Sequence, residues 1–117
     1  MNKKEFLQLV KLDDVIKQLK LNIGYDGVDY TGEIKFLVSG FLDNFGMYFV
    51  VDLKNKLLSY QVARFEEKIS NVKVEVFNSD MDALVLIRDI IIHFYFYIFG
   101  KHYNIDETDI HINKHYM

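Results

Sequence analysis

Residues 79–100, SDMDALVLIRDIIIHFYFYIFG, decide the fold because they read as one long helix. Ser79 suits the N-cap, Asp80 and Asp82 fall in the first turn where the helix dipole favours anions, and Gly100 predicts the end of the helix. The spacing predicts a buried stripe of Leu84, Ile87, Ile91, Tyr95 and Ile98. Other apolar residues extend around most of the circumference, far beyond the arc of about 100° that one sheet face requires. We therefore expect either the N-terminal helix or a partner to cover the remaining surface.

Between residues 33 and 76, four stretches alternate apolar and polar residues with a period of two. They predict strands over residues 33–42, 47–53, 58–63 and 72–76. Short turns separate most of these strands, so they form an antiparallel meander. The polar residues 65–71 predict a wider connection. One sheet face is mainly apolar and the other mixed, as expected when a single face is covered.

The N-terminal segment, residues 2–21, predicts a helix with an apolar stripe. Asn2 and Glu5 form a capping-box pattern at its start, and the step from Leu12 to Asp14 favours a break into two shorter helices. Residues 22–32 contain three glycines and predict a loop, in which Asp26-Gly27 favours a small hairpin.

Together these elements predict a single α+β domain over residues 1–117. A four-stranded antiparallel meander packs against the N-terminal helix and the long C-terminal helix, in the order α-β-β-β-β-α. The alternation of Ile110, His111, Ile112 and Asn113 favours a short last strand.

Composition excludes several classes of protein. Half of the 117 residues are hydrophobic, so the chain can bury a core, and it contains neither cysteine nor proline. Without cysteine there is no disulfide framework, zinc finger, iron–sulfur site or thiol catalysis. The N-terminus does not match a secretory signal. Residues 81–99 are apolar and long, but charges at Asp82, Arg88 and Asp89 oppose a membrane span. We therefore expect a cytoplasmic protein that contacts no membrane.

The net charge of −3 lies entirely in the last third of the chain. Residues 1–35 and 36–77 are each neutral, whereas residues 78–117 contain three basic and six acidic groups. Nucleic-acid binding requires clustered Lys and Arg, and the chain has only two arginines, so we expect no nucleic-acid partner.

Two histidine patterns suggest chemistry without establishing it. His111 and His115 would share a face if their segment were helical, but the segment reads as strand or tail, so we expect no metal site. On the C-terminal helix, Asp89 lies four residues before His93 and would orient its ring as in a general base. Asp82 and Tyr97 extend this polar stripe, which also suits the solvent face of a helix. We expect no cofactor and no enzymatic activity, with a histidine-dependent enzyme as the remaining alternative.

The candidate binding residues combine tyrosines with acids. They are Tyr25, Asp26, Asp29 and Tyr30 in the glycine-rich loop, and Asp106, Glu107 and Asp109 after the helix. Tyrosine offers a large contact area, and carboxylates suit a basic partner. The sequence thus favours a small acidic protein-binding inhibitor, of the immunity type or a phage-encoded antagonist, that masks a basic toxin or nuclease-like effector. The alternative is a homodimeric structural or adaptor protein that associates through the aromatic C-terminal helix.

Overall fold

The computed structural model describes residues 1–102, apart from the side chains of Tyr25, Asp26, Lys101 and His102. Its elements are α1 (Lys3–Lys11), α2 (Asp14–Gln18), β1 (Asn22–Val28), β2 (Ile34–Ser39), a 3-10 turn (Leu42–Asn44), β3 (Phe45–Asp52), β4 (Leu57–Arg64), β5 (Glu67–Lys68), β6 (Lys73–Val76) and α3 (Asp80–His102). The short last strand predicted at residues 110–113 lies outside the described residues.

The strands form one antiparallel sheet in the order β1-β2-β3-β4-β5, with β6 also paired to β4. β5 pairs with the end of β4 at Ala63 and Arg64, whereas β6 pairs with its first half, from Leu57 to Tyr60. The predicted α+β architecture with an antiparallel sheet is confirmed. The predicted count of four strands was wrong, because the described residues contain six.

The first additional strand is β1, which occupies most of the predicted loop. It pairs with β2 from Asn22 to Val28, and the register shifts between Gly24 and Gly27. The expected hairpin at Asp26-Gly27 is absent from this stretch, since these residues lie within the strand. Glycine disfavours a strand but does not prevent one. Here β2 supplies the backbone hydrogen-bond partners of β1, and local sequence preferences do not predict this pairing.

The second additional strand, β5, follows a tight turn rather than the predicted wider connection. Phe65 and Glu66 both have positive φ, at 52° and 67°, in the left-handed region that bulky residues rarely adopt. The Arg64 guanidinium lies 4.8 Å from the centre of the Phe45 ring and 5.6 Å from that of Phe65. These contacts support a turn that contains neither glycine nor asparagine, the residues that usually indicate such a turn in a sequence.

The helices cover one face of the sheet. The break expected near Leu12 is confirmed, because Asp13 caps α2 by accepting a hydrogen bond from the Val15 N–H at 2.8 Å. Asn2 caps α1 and accepts from the Glu5 N–H, as its pattern predicts. Inward-facing side chains of β2, β3 and β4 share one apolar core with the helices; they are Ile34, Phe36, Val38, Met47, Phe49, Val51, Leu58, Tyr60 and Val62.

The last strand turns its valines away from that core. Lys73 and Glu75 lie opposite Tyr60 and Leu58, on the helix-covered face, so Val74 and Val76 lie on the open face. The predicted alternation is therefore present in β6, with the apolar residues on the uncovered side of the sheet.

Candidate protein-binding surfaces

The turn after β1 is organised by the carboxylate of Asp29. One of its oxygens accepts hydrogen bonds from the Thr31 N–H at 2.9 Å and from the Glu33 N–H at 3.0 Å. The Thr31 hydroxyl also donates to it, and the Lys35 ammonium lies 2.9 Å from its other oxygen. Aspartate commonly closes turns in this way.

These contacts change the titration of both charged groups. The hydrogen bond from the Thr31 hydroxyl, followed by the bond from Lys35, holds the pKa of Asp29 well below its usual range. The same carboxylate raises the pKa of Lys35 through their hydrogen bond and charge attraction. Asp29 was predicted to meet a partner, and in the structure it fixes its own turn. A basic partner would therefore compete with Lys35 for this carboxylate.

Tyr30 lies at the tip of the same turn, and its side chain is fully exposed. Gly32 has a φ of +89°, which the turn requires and which a side chain would strain. Asp29 and Tyr30 are thus adjacent, with Tyr30 projecting from a turn that is held by hydrogen bonds to Asp29. Of the other predicted binding residues, Tyr25 and Asp26 lie in β1 without described side chains, and Asp106, Glu107 and Asp109 lie outside the described residues.

Helix α3 presents a second surface, on the side away from the core. Its inner face is buried by Ile87, Ile90, Ile91, Phe94 and Ile98. We call the opposite side the outer stripe and define it as Met81, Val85, Ile92 and Phe96. Met81, Val85 and Phe96 are exposed and Ile92 is half-buried, while Asp82 and Asp89 are exposed along one flank.

The N-terminal helices cover the other flank of α3. Arg88 donates from Nε and Nη2 to one carboxylate oxygen of Asp13, at 2.9 and 2.7 Å, and this bond raises the pKa of Arg88. Val10 and Ile16 adjoin the same region and are buried. The N-terminal segment thus covers part of the apolar circumference, and the outer stripe stays open within residues 1–102. The buried arc is wider than the predicted stripe, with Ile90 and Phe94 near its middle, because both the sheet and the N-terminal helices pack against α3.

The polar pattern on α3 does not form one continuous stripe. Asp82 and Asp89 are exposed, but Tyr97 is buried against the ring of Phe94. His93 Nδ1 lies 2.7 Å from the backbone carbonyl oxygen of Asp89, so Nδ1 carries a hydrogen and donates it there. The structure thus shows His93 bonded to the Asp89 backbone carbonyl, whereas the predicted contact was with the Asp89 carboxylate.

Within the described part of the chain, no three His, Asp or Glu side chains are grouped closely enough to hold a metal ion. His111 and His115 fall beyond it. The chain matches no protein-family model, no curated protein and no solved structure.

Helix α3 satisfies the length and composition of a membrane span over Asp80–Gly100, but 44% of its most apolar window is buried inside the fold. An apolar helix that forms the core of a small domain passes the same criteria. The compact arrangement, with a Cα radius of gyration of 13.8 Å, suggests a soluble protein.

Proposed function

We propose that this protein is a small protein-binding inhibitor, of the immunity type or a phage-encoded antagonist, that acts in the cytoplasm. Its partner is a basic protein, such as a toxin or nuclease-like effector, whose active surface it masks. The observation that carries this proposal is the outer face of α3, where exposed apolar side chains run beside two exposed carboxylates.

The arrangement suits recognition by helix packing. Met81 and Val85 are four residues apart, as are Ile92 and Phe96, so each pair lies on one side of the helix. Apolar anchors at this spacing enter grooves on partner proteins. Asp82 and Asp89 add negative charge along the flank, which raises the rate of encounter with a basic protein and favours it over acidic ones. Tyr30 offers a further anchor on its hydrogen-bonded turn.

Site-specific crosslinking tests where the partner binds. A photoreactive amino acid is placed at Val85 or Phe96, and at the exposed Asn55 in the β3–β4 turn as a matched control. In cells of the source organism, we expect the two α3 positions to capture the same basic protein and position 55 to capture none. Equal capture from all three positions would contradict the assignment of the surface.

Charge reversal tests the electrostatic part with the captured protein in purified form. The double variant Asp82→Lys/Asp89→Lys should lower the association rate about tenfold or more at low salt, with a smaller effect at high salt. Asp14→Lys/Glu67→Lys changes the net charge equally at exposed positions away from the outer stripe. If both double variants slow association equally, only net charge matters and the acidic flank has no specific role.

A homodimeric structural or adaptor protein is the second candidate. It is favoured by residues 90–100, which contain no Asp, Glu, Lys or Arg although Phe96 is exposed. An uncharged aromatic surface suits contact with an identical surface. Phe96→Glu should then convert a dimer to a monomer in sedimentation velocity, whereas the inhibitor proposal expects Phe96→Glu to weaken only capture of the partner.

A further inference from the structure

β6 is an edge strand with an apolar exposed side. It pairs with β4 on one side, and in residues 1–102 no strand pairs with its other side. Its valines are well exposed, with fractions of 57% for Val74 and 74% for Val76, and the preceding Val72 is 53% exposed. β-branched residues fit best where a neighbouring strand packs beside them. Natural proteins usually protect such edges, since unpaired backbone groups recruit further strands.

The hydrogen bonds of β6 show which backbone groups point outward. Phe77 N–H donates to the Lys56 carbonyl at 3.1 Å, and this pair continues the register in which Val76 lies opposite Leu57. In an antiparallel ladder every second pair is hydrogen-bonded. Glu75 and Lys73 therefore direct their N–H and C=O groups toward β4. The intervening residues, Val74 and Val76, direct theirs toward the open edge.

We infer that a second copy of this chain pairs antiparallel with β6, about a two-fold axis at Val74, to form one continuous sheet. The inference goes beyond the proposed function, because it uses the backbone edge of β6 rather than the side chains of α3, although Val76 and Val85 line one depression. In this register Val74 lies opposite Val74 of the second copy, and Val72 lies opposite its Val76. The central pair of Val74 residues joins two outward-pointing backbones and forms two backbone hydrogen bonds.

Charge complementarity selects the second copy and this register. With the axis at Val74, Lys73 lies opposite Glu75 of the second copy, and Glu75 lies opposite its Lys73. Both pairs occupy positions without backbone hydrogen bonds, where opposing Cα atoms are closest, at about 4.5 Å. Moving the axis to position 73 or 75 would place Lys against Lys or Glu against Glu, which is unfavourable. Among the registers centred on residues 73, 74 and 75, only the one centred on Val74 pairs opposite charges.

The pairing also explains the exposed valines. Val74 and Val76 lie on the open face next to Ser59 and Leu57 of β4. Because the two-fold axis is perpendicular to the sheet, the open faces of both copies lie on the same side. The valines of the two strands then form a single row across the junction, each beside a valine of the second copy.

Sedimentation velocity of the full chain and of Val74→Pro tests the inference. Proline removes the outward N–H at the centre of the junction without breaking a bond to β4, and it is tolerated on edge strands for that reason. We expect a dimer for the natural chain and a monomer for Val74→Pro, with unchanged circular dichroism. A monomeric natural chain overturns the inference, as does a dimer that survives in folded Val74→Pro.

Two charge variants provide a test that does not depend on proline. Lys73→Glu and Glu75→Lys each place like charges at both side-chain pairs, so each should raise the dimer Kd about tenfold. An equimolar mixture restores opposite charges at both pairs and should form a heterodimer of near-natural affinity. The double variant Lys73→Glu/Glu75→Lys should also dimerise normally, because its charges are exchanged rather than removed. If the mixture associates no better than the single variants, the register is wrong.

The outcome is separable from that of the proposed function. A dimer abolished by Phe96→Glu but unaffected by Val74→Pro assigns self-association to α3 and overturns the β6 junction. Loss of partner capture at Val85 with an intact β6 dimer contradicts only the inhibitor proposal.

Discussion

The two edge strands β1 and β6 differ in both length and regularity. β1 has seven residues, with glycines at 24 and 27 and a register shift between them. β6 has only four residues, contains no glycine and keeps one register against β4 from Lys73 to Val76. A bulge twists a strand and interrupts its row of backbone donors and acceptors, so an irregular edge is a poor template for another strand. Backbone regularity, not strand length, therefore marks β6 as the edge suited to association.

The largest effect is expected from disrupting helix α3, which covers the sheet between its two edges. Ile91 is fully buried in the core on the inner face of α3. Ile91→Asp would bury an unpaired charge, so we expect the free energy of unfolding to fall by about 3–5 kcal/mol in urea titrations. Val85→Asp places the same charge on the outer stripe and should change it by less than about 0.5 kcal/mol. Natural stability in Ile91→Asp would contradict the assignment of the inner face.

An intermediate effect compares an interior glycine with an edge glycine. A Cβ at Gly46 in β3 would lie 2.7 Å from the Val38 carbonyl oxygen, whereas at Gly24 in β1 no described atom would lie within 4 Å of it. Gly46→Ala should cost about 1–3 kcal/mol, because the backbone must shift. Gly24→Ala should stabilise the fold by up to about 1 kcal/mol, since alanine restricts the unfolded chain. Thermal unfolding distinguishes the two, and equal effects would remove the contrast between centre and edge.

The smallest effect concerns the turn that joins the β1 edge to β2, and it depends on pH. The pKa of Asp29 is lowered in the folded state, so its charge contributes stability above the unfolded value of about 3.9. That contribution is lost as the pH falls below about 4. Asp29→Asn keeps acceptors for the Thr31 and Glu33 N–H groups but removes the charge.

Urea unfolding midpoints, measured from pH 7 downward in steps of about one pH unit, test this expectation. The natural chain should be more stable than Asp29→Asn at neutral pH, and the difference should shrink in acid. The stability difference between the natural chain and Lys35→Met should also shrink in acid, but by less, because Lys35 is one of several partners that lower the pKa of Asp29. A constant difference at all pH values would show that the carboxylate charge does not stabilise the turn.

Much of the fold follows from periodicity in the sequence. The strong alternation in β2, β3 and β4, the capping pattern at Asn2 and the polar step at Asp13 all correspond to local physical preferences, and each is present in the structure. β1 was missed because its strand character comes from pairing with β2 rather than from its own glycine-rich residues. β5 was missed because Phe65 adopts a positive φ that sequence preferences argue against.

Periodicity shows which residues share a face, but not which face is covered. The valines of β6 alternate as regularly as the core residues of β3, and only the register on β4 places them on the open side. The same limit applies to the candidate site. Tyr30 was predicted and is exposed, while the structural use of Asp29 depends on its bonds to Thr31, Glu33 and Lys35. The spacing of Asp29 and Thr31 before Gly32 is the signal that indicates such a turn.

The bond between Arg88 and Asp13 joins residues that are 75 positions apart. At a synthesis rate of roughly 5–20 residues per second, α3 is made several seconds after α1 and α2, so these two helices lack their partner over that interval. The apolar face of the sheet is uncovered over the same interval, because α3 follows all the described strands. The order of the elements therefore favours late, cooperative closure, and a nascent chain halted before residue 80 would expose the surface that the finished domain hides.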